Sequence, residues 1–343
     1  MKWIEPKFSR KKVKKAGTHL VHADVESKEF TDSIPIFHNW RSAHAFPMQI
    51  MLDLLRKNAI RIDKNAIAVQ RLKRVPSIMD KLIREEGMSL SRMEDIAGCR
   101  AIVSNVGYVK RIHSSLQRSR TKNILHRERD YISNPKESGY RGIHLIYKYN
   151  GSKDKFNGMA VELQIRSKIQ HSWATAVEVV GAYTKQALKA SSGESIWLDF
   201  FKYVSVEFSE LENCPRDSCY DGIDTFTKMD ECVNALNLFE RLSAFKVATH
   251  ALTQDKEKGA GYFIVRLDLE KRLVSYSRFG KRQLNEATSF YDEQERIYEQ
   301  NKSMDVVMVS AGSVRDLKRA YPNYFSDTGV FEKYLRKVYE ANK

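Results

Sequence analysis

The sequence predicts an α+β protein, and three observations carry that expectation. Alternating apolar and polar residues at Gly142–Tyr149 and Met159–Ile165, with a shorter apolar run at Cys99–Ser104, have the period of strands with one face buried. Apolar residues recur at helical spacing elsewhere, as in Trp40, His44, Met48, Met51, Leu52 and Leu55, or Ile165, Ile169, Trp173, Val177 and Val180. From about Asp199 the texture changes to helical pattern and then to a second set of strand candidates. The expected organisation is one domain over residues 1–212 and a smaller α+β domain over 213–343.

Taken in order, the first thirty residues are basic and then mixed, part helix and part loop. A helix is expected over Asn39–Asn58, with a break or kink at Pro47. Another starts near Pro76, a residue suited to the first helical turn, and uses Ile78, Leu82 and Ile83 as its apolar face. The strand at Cys99–Ser104 precedes a helix over Val109–Leu116. In the strand at Gly142–Tyr149, Ile143, Leu145 and Tyr147 share one face. In the strand at Met159–Ile165, Glu162, Gln164 and Arg166 lie opposite Met159, Val161, Leu163 and Ile165. A long helix follows. Helical pattern then runs to about His250 with an interruption near Pro215. Strands are expected at Tyr262–Leu269 and Leu273–Phe279, joined as a hairpin, then a polar helix, a strand at Met304–Ala311, a short helix capped by Ser313, and a last amphipathic helix.

Of 343 residues, 42% are hydrophobic, enough for a substantial core. With 58 Lys and Arg against 43 Asp and Glu the net charge is +15, which favours nucleic acid, nucleotides or another polyanion as partner, or serves solubility. Met1 is followed by a basic stretch without an apolar h-region, and no apolar run approaches a bilayer span, so a cytoplasmic protein with no membrane partner is expected. Four cysteines fit a reducing compartment. Cys214, Cys219 and Cys232 lack a second ligand pair, with only His250 near, so no zinc is expected.

The chemistry concentrates in three segments: Asp95–Arg100, Glu137–His144 and Val161–Arg166. Asp95 and Glu162 each adjoin an apolar strand, where an unpaired carboxylate is costly. They are either two salt-bridged surface acids or a pair that holds Mg²⁺ beside phosphate oxygens. Arg71, Lys73, Arg74, Ser77 and Lys81 form a basic helix start that is either a solvated face or a grip on a polyphosphate, with Arg100, Lys136 and Arg141 adding to it. The glycines of Gly139-Tyr-Arg-Gly142 make a tight turn that can project Tyr140 outward to stack on a base, or fold it back on the core. His144 sits on the polar side of its strand. Together these residues suit movement of a phosphate group between nucleotides.

These residues resemble the synthetase domain of the RelA/SpoT alarmone family. The likeness covers roughly Trp40 to Tyr183 and rests on Arg71-x-Lys73-x-x-x-Ser77-x-x-x-Lys81, Asp95-x-x-Gly-x-Arg100, Arg129-Asp-Tyr-Ile, Lys136-x-Ser-Gly-Tyr-Arg141, Glu162-x-Gln-x-Arg166 and His171-x-Trp-Ala174. It implies a nucleotidyltransferase-like mixed sheet with flanking helices and transfer of pyrophosphate from ATP to a 3′-hydroxyl. By the same likeness Arg71, Lys73, Ser77, Lys81 and Arg100 grip ATP. Asp95 and Glu162 bind Mg²⁺ and serve catalysis. Tyr140, Lys136, Arg141, His144, Gln164 and Arg166 meet the acceptor. No His is followed by Asp, so the hydrolase activity of the family's long members is not expected. Glu178 is followed by Val179 where many synthetases have Glu-His, a departure on the acceptor side.

The C-terminal part, with its hairpin and Tyr321-Pro-Asn-Tyr324, is similar to the fused toxin–antitoxin branch, CapRel, with its pseudo-zinc-finger unit. That resemblance implies a tRNA 3′ end as acceptor, arrested translation, Tyr321 and Tyr324 held in the ATP site, and release by a phage protein bound to the C-terminal unit. Basic runs fit a tRNA partner, among them Lys11, Lys12, Arg120 and Lys122. The alternative acceptor is GDP or GTP, as in small alarmone synthetases.

Overall fold

The computed structural model describes residues 3–184, 188, 193–247, 261–268, 270, 271, 273–280, 282–298, 304–311, 314–322 and 328–342. Among them no helix is long and apolar enough to cross a membrane. Ser313 and Tyr324 lie outside the described residues.

The N-terminal helices are Arg10–His22 (α1), Lys28–Ala43 (α2) and Ala45–Ile62 (α3). Ser9 and Ser27 cap the first two by accepting from Lys12 N and Phe30 N. The expected break falls at His44, three residues before Pro47. Pro47 sits in the first turn of α3, where a missing N–H costs nothing. Strand Ile67–Leu72 (β1) leads into Val75–Arg84 (α4), with Pro76 in its first turn. Next come Ala97–Val103 (β2), Val106–Gln117 (α5), Ile124–Asp130 (β3), Ile143–Lys148 (β4), Ala160–Ser167 (β5) and Lys168–Thr184 (α6). The C-terminal elements are Ser195–Leu211 (α7), Thr225–Ala235 (α8), Leu238–Val247 (α9), Gly261–Asp268 (β6), Leu273–Gly280 (β7), Leu284–Ile297 (α10), Met304–Ala311 (β8), Val314–Ala320 (α11) and Gly329–Ala341 (α12).

Among the described residues eight strands join one mixed sheet in the order β3-β4-β5-β2-β1-β8-β6-β7. Only β2 and β5 run parallel; the other pairs are antiparallel. β8 joins the C-terminal strands to β1 through Gln70↔Ser310 and Arg71↔Val309, so the sheet runs unbroken across residues 212 and 213.

The two faces of the sheet do different work. On one, Cys99, Ala101, Leu145, Tyr147, Leu163 and Ile165 pack against Met51, Leu52 and Leu55 of α3 and Val109 and Ile112 of α5. Farther along, α10 packs Leu284, Ala287 and Tyr291 against Tyr262, Ile264, Val306 and Met308. On the opposite face, Ile67, Val69, Ile102, Phe263 and Val265 are covered by Leu317 and Ala320 of α11 and by Tyr321. Helices α6, α7 and α12 build a separate aromatic core from Trp173, Trp197, Phe200, Phe201 and Phe331.

Candidate active site

Strand alternation sets the site. The residues of β5 that do not enter the core are Glu162, Gln164 and Arg166, and they share a face with Gly98 and Arg100 of β2 and His144 of β4. Register turns this into two rows across the sheet. One runs Arg71, Gly98, Glu162, Ile146, Arg127; the other runs Val69, Arg100, Gln164, His144, Arg129. These rows floor a cavity of about 1350 Å³, walled by α4 and α6. Ligand pockets for one drug-sized molecule run about 300–1,000 Å³, so two nucleotides have room.

The carboxylates hold defined positions. Lys73 Nζ lies 2.7 Å from Asp95 Oδ2 and Lys81 Nζ 3.2 Å from Asp95 Oδ1. Burial pushes the Asp95 carboxyl up, but the two lysines more than reverse this and hold it below its ordinary value. Glu162 accepts from His144 Nδ1 at 2.8 Å and from Gln164 Nε2 at 2.7 Å. Burial acts against its charge, yet these donors win and keep it well below the usual carboxylate range. Burial lowers the His144 pKa, against the opposing pull of the Glu162 carboxylate. With Nδ1 donating to Glu162, His144 Nε2 accepts from the Tyr140 hydroxyl at 2.6 Å, and that hydroxyl accepts from Arg166 Nε at 2.9 Å.

Asp95 and Glu162 sense one another's charge. Among the described residues no group of three or more His, Cys, Asp and Glu is placed to hold a metal. Two carboxylates still fit Mg²⁺, which takes oxygen ligands and fills its shell with water and substrate phosphates.

The ATP-side residues of the sequence analysis converge. Arg71, Lys73, Ser77, Lys81 and Arg100 all line the cavity. Arg100 has its guanidinium carbon 5.8 Å from the centroid of the Tyr321 ring, and its Nη1 lies 3.4 Å from the Ala320 carbonyl. Burial and the nearby charges of Arg166 and Arg71 bring the Arg100 pKa down to about 10. Tyr321, 2% exposed, packs in the α11 core and also lines the cavity.

On the acceptor side Lys136, Tyr140, His144, Gln164 and Arg166 line the cavity; Arg141 does not. Its guanidinium is buried and donates to the carbonyls of Ile132 and Pro215, so it anchors a loop instead of meeting a ligand. Tyr140 does not project outward: its ring is half-buried, edge-on to Trp173 and Tyr131. Lys11, Lys12, Arg120 and Lys122 are exposed and lie outside the cavity lining.

Tyr131 was given no role from sequence, yet it lines the cavity with Lys136 Nζ 4.7 Å from its ring centroid. Its place one residue from Asp130 and two from Arg129, before the glycine turn, is the signal that marked it. Arg10 and Arg92 also reach the cavity, from α1 and from the short turn at Leu90–Arg92. No periodicity announces a cation delivered by a separate element.

Residues 70–187 match the family described as a region found in RelA / SpoT proteins. GTP pyrophosphokinase YjbM of Bacillus subtilis (strain 168) is 34% identical over 112 residues, covering 31% of this chain and 51% of that protein. The probable GTP diphosphokinase CRSH, chloroplastic, of Arabidopsis thaliana is 28% identical over 174 residues, covering 44% of this chain and 29% of that one. The chain thus spans about half of the first relative and under a third of the second. The crystal structure of small alarmone synthetase 1 from Bacillus subtilis bound to its product pppGpp is 27% identical, with a TM-score of 0.36, covering 43% of this chain and 73% of that one. Residues 70–187 thus match the region found in RelA / SpoT proteins, and Arg71, Asp95, Arg100, Tyr140, Glu162 and Arg166 all fall within that match.

Proposed function

We propose that the chain is an ATP-dependent pyrophosphokinase that transfers the β,γ-pyrophosphoryl group of ATP to a 3′-hydroxyl. One observation carries this reading: Asp95 and Glu162 line one cavity together with Arg71, Lys73, Lys81, Arg100, Lys136 and Arg166. The acceptor oxygen bonds to the β-phosphorus, the bond from that phosphorus to the α,β-bridging oxygen breaks, AMP leaves with that oxygen, and the hydroxyl proton passes to solvent. Arg71, Lys73, Lys81 and Arg100 neutralise the phosphates as charge moves to the leaving group. Asp95 and Glu162 would hold Mg²⁺, which when bound adds further positive charge at those phosphates. Glu162, so strongly ionised, orients the acceptor hydroxyl as a hydrogen-bond acceptor and is a weak base.

The finer reading is a tRNA 3′ end as acceptor, in a self-inhibited toxin of the fused toxin–antitoxin kind. Arg10, Arg92, Arg127 and Lys148 also line the cavity, which adds positive charge that suits a polyanionic acceptor. Lys11 and Lys12 stand exposed beside Arg10 at the start of α1. Tyr321, against Arg100, supports self-inhibition, with Tyr324 as its partner in the motif and a phage protein as trigger. Guanine nucleotide as acceptor is the second reading, favoured by the named activity of the relatives. Incubation with γ-labelled ATP and either bulk tRNA or GDP and GTP separates them. Label in tRNA supports the first; label only in GDP or GTP supports the second; label in neither overturns the proposal.

A further inference from the structure

Arg41, on α2, is 1% exposed and lies outside the cavity lining. A buried guanidinium must have its charge paired and its N–H groups satisfied. Its Nη1 lies 3.0 Å from Glu295 Oε2, and its Nη2 donates to the Tyr291 hydroxyl at 2.5 Å and to Glu295 Oε1 at 3.3 Å. The Tyr291 hydroxyl in turn donates to Glu295 Oε1 at 2.5 Å. Both partners sit on α10, some 250 residues along the chain. The remaining nitrogen turns toward the site: Nε donates to the Lys73 carbonyl at 2.8 Å. The Lys73 N–H donates to the Ile96 carbonyl at 2.8 Å, and its Nζ reaches Asp95 at 2.7 Å. The Lys73 backbone is thus pinned on both sides, once by Arg41.

We infer that Arg41 is a positioning residue for Lys73 and Asp95, and that Glu295 and Tyr291 of α10 hold it in that task. The consequence of this for transfer rests on the proposed function; the pinning itself does not. Without Glu295 and Tyr291, the Arg41 guanidinium would lose its carboxylate and hydroxyl acceptors and its fixed orientation. Helix α10 therefore braces the donor side from the face opposite α11. On that reading, removal of the whole C-terminal part takes away Glu295 and Tyr291 and is expected to yield a weakened enzyme.

The test uses full-length protein carrying Arg41→Met with Glu295→Leu, which removes both charges while keeping volume. Two quantities are read: hydrogen exchange at the Lys73 amide, and kcat and KM for ATP. The expected result is a cooperatively folded variant whose Lys73 amide exchanges roughly tenfold or more faster and whose kcat falls by a similar factor, the range for losing one hydrogen bond from a charged donor. A folded variant with unchanged Lys73 exchange overturns the inference, whatever its activity. Faster exchange with unchanged kcat overturns the positioning role. If the unmutated protein transfers pyrophosphate to no nucleotide or tRNA, the proposed function fails, and Lys73 exchange alone decides the pinning. If the double variant does not fold, Glu295→Gln is measured in its place, with the same direction expected and the same overturning results.

Discussion

Gln164 Nε2 donates to Glu162 Oε2 at 2.7 Å, while its Oε1 accepts from Arg166 Nη2 at 2.9 Å and lies 3.4 Å from Arg100 Nε. One amide therefore ties the half-buried carboxylate to the guanidinium groups of Arg100 and Arg166. The charge at Glu162 is held by a network, which makes it a sensitive point for substitution.

Glu162→Gln and Asp95→Asn keep shape and remove charge. Each is expected to fold and to lose pyrophosphate transfer by roughly 10²–10³-fold or more, as when a preorganised electrostatic contact is removed. Initial rates on labelled ATP with the acceptor in excess measure this. Near-normal rates in either variant would remove that carboxylate from the site.

Gly98 leaves open space between Arg71 and Glu162 in its row. A Cβ built there meets only the Arg71 carbonyl, at 3.8 Å, an ordinary contact. Gly98→Val is therefore expected to fold with little loss of stability while its methyls fill donor space. The measurement is ATP affinity beside the melting temperature. Weak ATP binding at an unchanged melting temperature is the expected pair; unchanged affinity would place ATP elsewhere.

Glu212 supplies a pH test. Burial raises its carboxyl from 4.5 to about 7, against side-chain donors on Ser167 and Gln170 and the charge of Arg141. An acid with a raised folded pKa keeps its proton where the unfolded chain has lost it. Its contribution to stability is therefore present at low pH and declines as pH rises from about 4.5 to 7. Glu212→Gln, which resembles the protonated acid, should gain melting temperature over wild type at pH 8 and not at pH 4. A difference independent of pH would contradict this origin.

The tRNA reading has a salt signature. Neutralising Lys11, Lys12, Arg120 and Lys122 together should weaken transfer to tRNA and flatten its dependence on salt, because fewer counterions are released on binding. Transfer to free guanine nucleotide should change little, since none of the four lines the cavity. Equal loss on both acceptors would make these residues structural.

Sequence made the central strands legible because β4 and β5 alternate cleanly, and the same alternation put Glu162, Gln164 and His144 on one face. β1 and β3 were not foreseen. β1 is buried on nearly every residue, so it shows no period of two, and β3 is an edge strand mostly exposed on both faces, so it carries no apolar signal. Arg141 shows a related limit: motif spacing puts it beside Tyr140, but only the fold reveals the carbonyls of Ile132 and Pro215 as its acceptors. That β8 would pair with β1, making one sheet of two expected halves, is a long-range contact that local pattern does not encode.

Tyr321 decides between control and packing. Its ring lies under Arg100 and among Val69, Ile102 and Leu317, so either role predicts a loss of stability on truncation; for a buried aromatic cut to Ala this is about 3–5 kcal/mol. Tyr321→Leu keeps most of the apolar volume and removes the aromatic face from the guanidinium. If the closed arrangement limits ATP binding, apparent affinity is reduced by the fraction of molecules that are open, and raising that fraction tightens it. Tyr321→Leu is then expected to bind ATP more tightly and to transfer faster with no partner present, even as its melting temperature falls. Tyr324→Ala, at a residue outside those described, is the companion from the same motif and is expected to act in the same direction. The measurement is ATP affinity and transfer rate for wild type and both variants, each below its own melting transition. If both variants only melt earlier, with affinity and rate unchanged, Tyr321 is core packing and the chain is not held shut by this contact.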